Sequence, residues 1–251
     1  MVPEGAQARA RIEQRAPGVV AGLGVAQTVF ERVDPALHFE ALAPEGEWRE
    51  PGVLAEISGA AASILAAERV ALNFLGRLSG IATLTARYVE AVEGTGVRIL
   101  DTRKTTPGLR ALEKEAVRAG GGFNHREGLF DAILVKENHS TLAGGVPIAA
   151  RLAVEAARSG VAVEVECSTL DDVAGALDAG VPRLLLDNMA PIELAAAVKL
   201  SGGRAELEAS GGITLETVRA VAETGVDFIS VGALTHSAPE LDVSLLLDPL
   251  E

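Results

Sequence analysis

RLLLDN (residues 183–188), taken with the similar runs on either side of it, decides the fold. Three leucines in succession end in an aspartate and an asparagine, and AELEAS (205–210) starts 22 residues further on. VRILDTRK (97–104), AILVKENH (132–139), AVEVEC (162–167) and FISVGA (228–233) follow the same plan: a short aliphatic-rich run that ends in polar residues, then a helical stretch. The last four runs recur every 21 to 23 residues, room for a strand, a loop and a helix of three turns. Short aliphatic runs of this kind suit strands buried on both faces. Their alternation with helices predicts parallel strands joined by right-handed crossovers. Six units are too few for a complete eightfold barrel. The expected fold is therefore α/β: an incomplete, six- or seven-stranded α/β barrel of TIM-like type over residues 97–240.

Punctuation between the runs agrees. Pro147 and Pro191 suit the first turn of a helix, Ser168 or Thr169 can cap LDDVAGALDAG, Thr214 can cap LETVRAVAETG, and Gly180 and Gly225 stand where those helices stop. Residues 1–96 read differently. ARARIEQR alternates, AGLGVAQTVFERV has helical spacing, LHFEALA and VLAEISG look like strands around PEGEWREPG, and a long helical region follows from Ala60 to Glu93. This predicts a first α+β domain over 1–96, to which the strand-like tail within 241–251 returns.

Composition narrows the function. The chain is 48% hydrophobic with 3% aromatics, so its core is aliphatic. A formal net charge of -13 argues against general affinity for nucleic acid or anionic membranes, so an anionic ligand needs a local cluster of cations. The apolar-looking stretch from Ala60 to Val92 is interrupted by Glu68, Arg69, Asn73, Arg77 and Arg87 and cannot cross a bilayer, and the first residues lack the apolar core of a secretory signal. The single Cys167 excludes an internal disulfide framework, fits a reducing cytoplasm, and reads as a packed thiol.

Reacting groups in such folds gather at the carboxyl ends of the strands. Those ends carry Asp101, Arg103 and Lys104, then Lys136, Glu166, Asp187, Glu208, Ser210 and Gly232, with cations on the early units and carboxylates on the middle ones. ASGGIT (209–214) leads toward a helix and ISVGAL (229–234) follows some 20 residues later, so two glycine-bearing turns can offer backbone N–H groups to a phosphate. Glu166 and Asp187 are hard oxygen ligands suited to Mg2+. GGGFNHREG (120–128) adds His125 and Arg126 to Arg103, Lys104 and Lys136: five potential cations in one mouth, a set that fits a ligand with more than one carboxylate.

Together ERVALNFLGRLSGIATLT (68–85), DTRKTTPGLR (101–110), GGGFNHREGLFD (120–131), KENH (136–139), EVE (164–166), LDNM (186–189), EASGGI (208–213) and ISVGALTHS (229–237) resemble, in order and through nearly the whole chain, the quinolinate phosphoribosyltransferases, also called nicotinate-nucleotide pyrophosphorylases (carboxylating). The resemblance implies an N-terminal α/β sandwich domain and an incomplete barrel. It also implies a homodimer, or a hexamer built from dimers, in which one subunit's first domain covers its neighbour's barrel mouth. The implied enzyme is a pentosyltransferase. It converts quinolinate and phosphoribosyl pyrophosphate to nicotinate mononucleotide, pyrophosphate and CO2 in NAD biosynthesis, with Mg2+ and no organic cofactor.

Carried over motif by motif, Arg103, Lys104, His125, Arg126 and Lys136 would hold the quinolinate carboxylates, with Arg69 reaching in from a neighbouring subunit. Glu166 and Asp187 would serve Mg2+, directly or through water, and the ribose-pyrophosphate; Ser210, Gly211, Gly212, Gly232 and Ala233 would surround the 5′-phosphate. Lys104, Glu166 and Asp187 are the expected catalytic groups. The family carries a further segment, with an acidic ED…GD stretch and a helix, ahead of the part that VPEGAQARARI matches. The nearest rival reading is a related phosphoribosyltransferase-like protein of different substrate, such as the homologue associated with molybdate transport. More distant ones are a phosphate-binding barrel isomerase or lyase and a phosphometabolite sensor.

Overall fold

The computed structural model describes residues 2–250; Met1 and Glu251, at the ends of the expected first domain, lie outside the described residues. In chain order the elements are β1 (Gln7–Gln14), β2 (Gly18–Val19), α1 (Leu23–Val33), β3 (His38–Ala41), β4 (Trp48–Arg49), β5 (Gly52–Ala60) and α2 (Ala61–Ala91). There follow β6 (Arg98–Leu100), α3 (Arg110–Ala119), β7 (Ala132–Val135), α4 (Glu137–Ala143), α5 (Val146–Ala156), β8 (Ala162–Cys167) and α6 (Leu170–Asp178). The last are β9 (Arg183–Asp187), α7 (Pro191–Ser201), β10 (Glu206–Ser210), α8 (Val218–Ala222), β11 (Phe228–Ser230), α9 (Ala233–His236) and β12 (Val243–Leu250). Among the described residues no helix is long and apolar enough to cross a membrane.

Two compact units divide the chain. One holds the residues up to Ala86 with Thr105–Gly122 and the chain from Ala233 onward; the other holds Arg87–Lys104 and Phe123–Gly232. The first unit is built on the antiparallel sheet β12-β1-β5-β3. ARARI alternates because one face of β1 is core: Ala8, Ala10 and Ile12 are fully buried, in a cluster with Phe30 of α1, Leu54 and Ile57 of β5, and Ile64 and Leu75 of α2. The C-terminal run pairs with β1 from Gln7↔Leu250 to Gln14↔Val243. The compact units depart from a cut at residue 96, because α3 and α9 fall with the first unit. Arg77 of α2 ion-pairs with the fully buried Glu113 of α3 at 2.8 Å and donates to the Ala238 carbonyl at 3.3 Å, and those bonds tie both returning segments down.

The second unit is a six-stranded parallel sheet in the order β6-β11-β10-β9-β8-β7. The last strand lies beside the first and the others follow in sequence, which is the strand order of an incomplete barrel with its break between β6 and β7. Thr169 opens α6 with a capping box: its hydroxyl accepts from the Asp172 N–H at 3.1 Å and the Asp172 carboxylate accepts from the Thr169 N–H at 3.1 Å. Pro147 and Pro191 sit in the first turns of α5 and α7. After β10 the expectation of a helix capped by Thr214 needs correction. Thr214 and Thr217 trade hydroxyl and backbone bonds in a turn, and regular helix covers only Val218–Ala222. The glycines of 211–212 therefore lie in a loop and do not lead straight into a helix N-terminus.

Along β8, β9 and β10 every second residue is apolar and buried: Val163, Val165 and Cys167, then Leu184 and Leu186, then Leu207 and Ala209. Period two puts the remaining residues on the opposite face, and most of them are polar: Glu164 and Glu166, Arg183 and Asp187, Glu208 and Ser210. That face carries the candidate site.

Candidate active site

The charged face has two layers. The deeper one joins Glu164 of β8, Arg183 of β9 and Glu208 of β10 to His125, which arrives on the loop after α3. Arg183 Nη2 lies 2.5 Å from Glu208 Oε2, its Nε lies 3.4 Å from Glu164 Oε1, and its guanidinium stacks 3.8 Å from the centre of the Phe228 ring. His125 Nε2 lies 2.9 Å from Glu164 Oε2 and 3.5 Å from Glu208 Oε1.

The loop that brings the histidine is pinned by Asp101, just past β6. Asp101 accepts the His125 backbone N–H at 2.8 Å and the Asn124 amide at 2.6 Å. Nδ1 of the ring accepts the Arg126 N–H at 2.7 Å, so the proton of the neutral ring sits on Nε2, pointed at the two carboxylates. Burial opposes charge on this ring, but the hydrogen bond to Glu164 and the charges of Glu208 and Glu164 outweigh it and raise the His125 pKa from 6.5. Burial and the charge of Glu164 raise Glu208, whereas Glu164, despite its own burial, is held low by His125 and Arg183. Of the two acids, Glu208 is the one that tends to keep its proton.

The outer layer stands further along the same strands, two residues beyond Glu164 and Glu208 and four beyond Arg183. Lys136, just after β7, places Nζ 2.7 Å from Glu166 Oε2, while Glu166 Oε1 accepts the Glu137 N–H at 3.1 Å. Asp187 ends β9 and accepts the Asn188 side-chain amide at 2.7 Å. Ser210 ends β10 and is followed by Gly211 and Gly212 at φ 100° and 60°, backbone that favours glycine. Gly232 follows β11 within the same unit.

Arg126 donates to the Ala132 carbonyl at 3.1 Å, and burial together with the neighbouring charge of Arg103 lowers its pKa. Two guanidiniums close enough to oppose each other's charge make a ready clamp for an anion. Lys104 is exposed on the loop after β6, its N–H held by the Thr102 hydroxyl at 3.0 Å.

Of the expected site residues, Arg103, Lys104, His125, Arg126, Lys136, Glu166, Asp187, Ser210, Gly211, Gly212 and Gly232 all lie in the second unit. Arg69 lies on α2 in the first unit, where it is exposed, and Ala233 opens α9. His125, expected on a substrate carboxylate, faces two protein carboxylates; Lys136 and Glu166, expected on different substrates, face each other. Sequence reasoning passed over Glu164 and Arg183. Their signal was charge at period two inside runs otherwise buried on both faces, AVEVEC and RLLLD.

Among the described residues, the group whose ligand atoms could converge on a metal is His125, Glu164 and Glu208, all within 4.8 Å of one another. Arg183 already supplies positive charge to both carboxylates there, so a divalent ion would meet a resident cation. Glu166 and Asp187 offer hard oxygens on adjacent strands, where the resident cation is the half-exposed Lys136, 2.7 Å from Glu166. Cys167 contributes nothing: burial, with the charges of Asp172 and Glu166, pushes its thiol up to about 12.

Comparison with known proteins settles the family. Residues 1–79 match the model of the quinolinate phosphoribosyl transferase N-terminal domain and residues 81–246 that of its C-terminal domain. The chain belongs to the quinolinate phosphoribosyltransferase family. It is 45% identical over 250 residues to the chloroplastic nicotinate-nucleotide pyrophosphorylase (carboxylating) of Arabidopsis thaliana, covering 92% of this chain and 71% of the plant protein. The crystal structure of NadC from Streptococcus pyogenes superposes with a TM-score of 0.94 at 42% identity, covering 100% of this chain and 89% of that one. The nicotinate-nucleotide pyrophosphorylase of Francisella tularensis gives a TM-score of 0.94 at 39% identity, covering 98% and 88%. Family membership gives the ordered motifs a common origin.

Proposed function

We propose that this chain transfers the phosphoribosyl group of phosphoribosyl pyrophosphate to quinolinate with loss of CO2, giving nicotinate mononucleotide and pyrophosphate in NAD biosynthesis. The observation that carries the reading is that Arg126 feels the charge of Arg103 on a chain of net charge -13, with Lys104 and Lys136 also following strands of the same sheet. So much local positive charge calls for an anion with more than one negative group. The carboxylating relatives named above support the same reading and give none to a molybdate-transport homologue.

In this scheme Arg103 and Arg126 grip the carboxylates of quinolinate in bidentate fashion, with Lys104 and Lys136 as point donors and His125 closing one wall. Lys136 would exchange Glu166 for the substrate, an exchange open to it because it is half-exposed, at 52%. The backbone N–H groups around Ser210, Gly211, Gly212, Gly232 and Ala233 would receive the 5′-phosphate.

The pyridine nitrogen then attacks the anomeric carbon while the bond to pyrophosphate breaks. The alkylated ring, now cationic, accepts the electron pair released when the 2-carboxylate leaves as CO2, and a proton from solvent replaces it. Mg2+, held directly or through water by Glu166 and Asp187, would neutralise the departing pyrophosphate. The cations orient the 2-carboxylate, and they aid the reaction only if they favour the transition state over the bound acid.

We further infer a homodimer or larger homo-oligomer in which exposed Arg69 is supplied to a neighbouring subunit, and a reducing cytoplasmic setting, which a lone buried Cys167 supports. The test of the activity is to incubate the protein with quinolinate, phosphoribosyl pyrophosphate and Mg2+ and to quantify products. Nicotinate mononucleotide, pyrophosphate and CO2 are expected in equal amounts; product without CO2, or no product, overturns the reading.

A further inference from the structure

We infer that Asn188 is a positioning residue that couples the Asp187 carboxylate to the glycine loop after β10, its amide occupying the space that a Cβ on Gly211 would need. The inference rests on the functional reading above, in which Asp187 and residues 210–212 serve phosphoribosyl pyrophosphate.

Asn188 is the one non-glycine residue with positive φ among the described residues, at 55°. Side chains with a Cβ pay for that conformation, and asparagine tolerates it better than most. The backbone arrives there by continuing the sheet: the Asn188 N–H donates to the Ser210 carbonyl at 2.8 Å, one ladder step beyond the end of β9. The left-handed turn then folds the side chain back over its own neighbour. Nδ2 donates to Asp187 Oδ2 at 2.7 Å. The other end of the same amide lies on the next strand's loop, where a Cβ built on Gly211 would meet Asn188 Oδ1, Cγ and backbone N within 3.0 Å.

One planar group therefore touches the carboxylate and the phosphate loop at once. Its amide donor holds the Asp187 carboxylate in one rotamer, and its oxygen packs against Gly211, itself at φ 100°. A residue kept only to make the turn would be replaced to advantage by glycine, which adopts φ 55° without cost. The inferred role and the turn role thus predict opposite outcomes for one substitution.

The experiment measures direct binding of phosphoribosyl pyrophosphate with Mg2+, and separately of quinolinate, by calorimetry, along with the melting temperature, for the parent, Asn188→Gly, Asn188→Asp and Gly211→Ala. Asn188→Gly is expected to melt no lower than the parent, to bind phosphoribosyl pyrophosphate about tenfold more weakly or worse, and to keep its quinolinate affinity within about twofold. Asn188→Asp sets a second carboxylate against Asp187 and loses more. Gly211→Ala displaces the amide and shows the same selective defect. Asn188→Gly that binds phosphoribosyl pyrophosphate as the parent does, or that weakens both ligands equally, overturns the inference alone. A parent that binds no phosphoribosyl pyrophosphate overturns the reading of the site, and the inference with it.

Discussion

Glu164 and Glu166 stand two residues apart on one face of one strand, yet they lead different lives. Glu164 is buried against His125 and Arg183, and all its charge is answered inside the protein. Glu166 is answered by a lysine that is half in water. Glu208 and Ser210 on β10 differ in the same direction, Glu208 fully buried and Ser210 half-buried. A buried charge whose partners are all protein cannot be offered to a ligand without losing stability, whereas an outer charge can change partner at little cost. The deeper layer thus holds the ring and the loop of His125 in place, and the outer layer is left to exchange its internal partners for substrate.

Removing the deep cation breaks this contrast most severely. Arg183→Met leaves Glu164 and Glu208 facing each other, and a loss of about 3 kcal/mol in urea denaturation is expected. A loss below about 1 kcal/mol would show the two carboxylates to be solvated and the layer not to be a buried network.

Lys136→Ala should do the reverse. Stability changes by less than about 1 kcal/mol, because the pair is exposed on one side. Quinolinate kcat/KM falls roughly tenfold to a hundredfold, the worth of a charged hydrogen bond. A large stability loss with unchanged kinetics would place Lys136 in the structural layer.

The smallest effect is in pH. His125 has a raised folded pKa, so its contribution to stability is complete below the unfolded value of 6.5 and is lost as pH rises through the folded value. The ring is faced by Glu164, Glu208, Asp101, Arg126 and Arg183. Denaturation curves measured upward from about pH 6 should fall more steeply for the parent than for His125→Gln. Parallel curves would mean that folding leaves the affinity of the ring for its proton unchanged.

Much of this was legible in the residues themselves. RLLLDN and its counterparts carried the parallel sheet, because only short apolar runs at that spacing bury both faces of a strand. The ARARI alternation carried an inner strand of a sheet whose one face is core. The outer residues were legible because scarce types gather after strands: two of the four lysines, Lys104 and Lys136, follow β6 and β7.

What escaped was tertiary. Glu164 and Arg183 look like interruptions of apolar runs until the register sets them opposite each other, Glu164↔Arg183 across β8 and β9. Nothing local says that His125 will be carried back to them by Asp101. The helix after the SGG turn was over-read as well. Thr214 has the chemistry of a cap, but Thr217 answers it three residues later and delays the regular helix.

The account stands most directly on one comparison of substrates. With phosphoribosyl pyrophosphate and Mg2+ saturating, kcat/KM is measured for quinolinate and for nicotinate, which lacks the second carboxylate. An outer layer built from Arg103, Lys104, Arg126 and Lys136 to hold two carboxylates predicts a preference for quinolinate of about a hundredfold or more. Equal values for the two acids would contradict it.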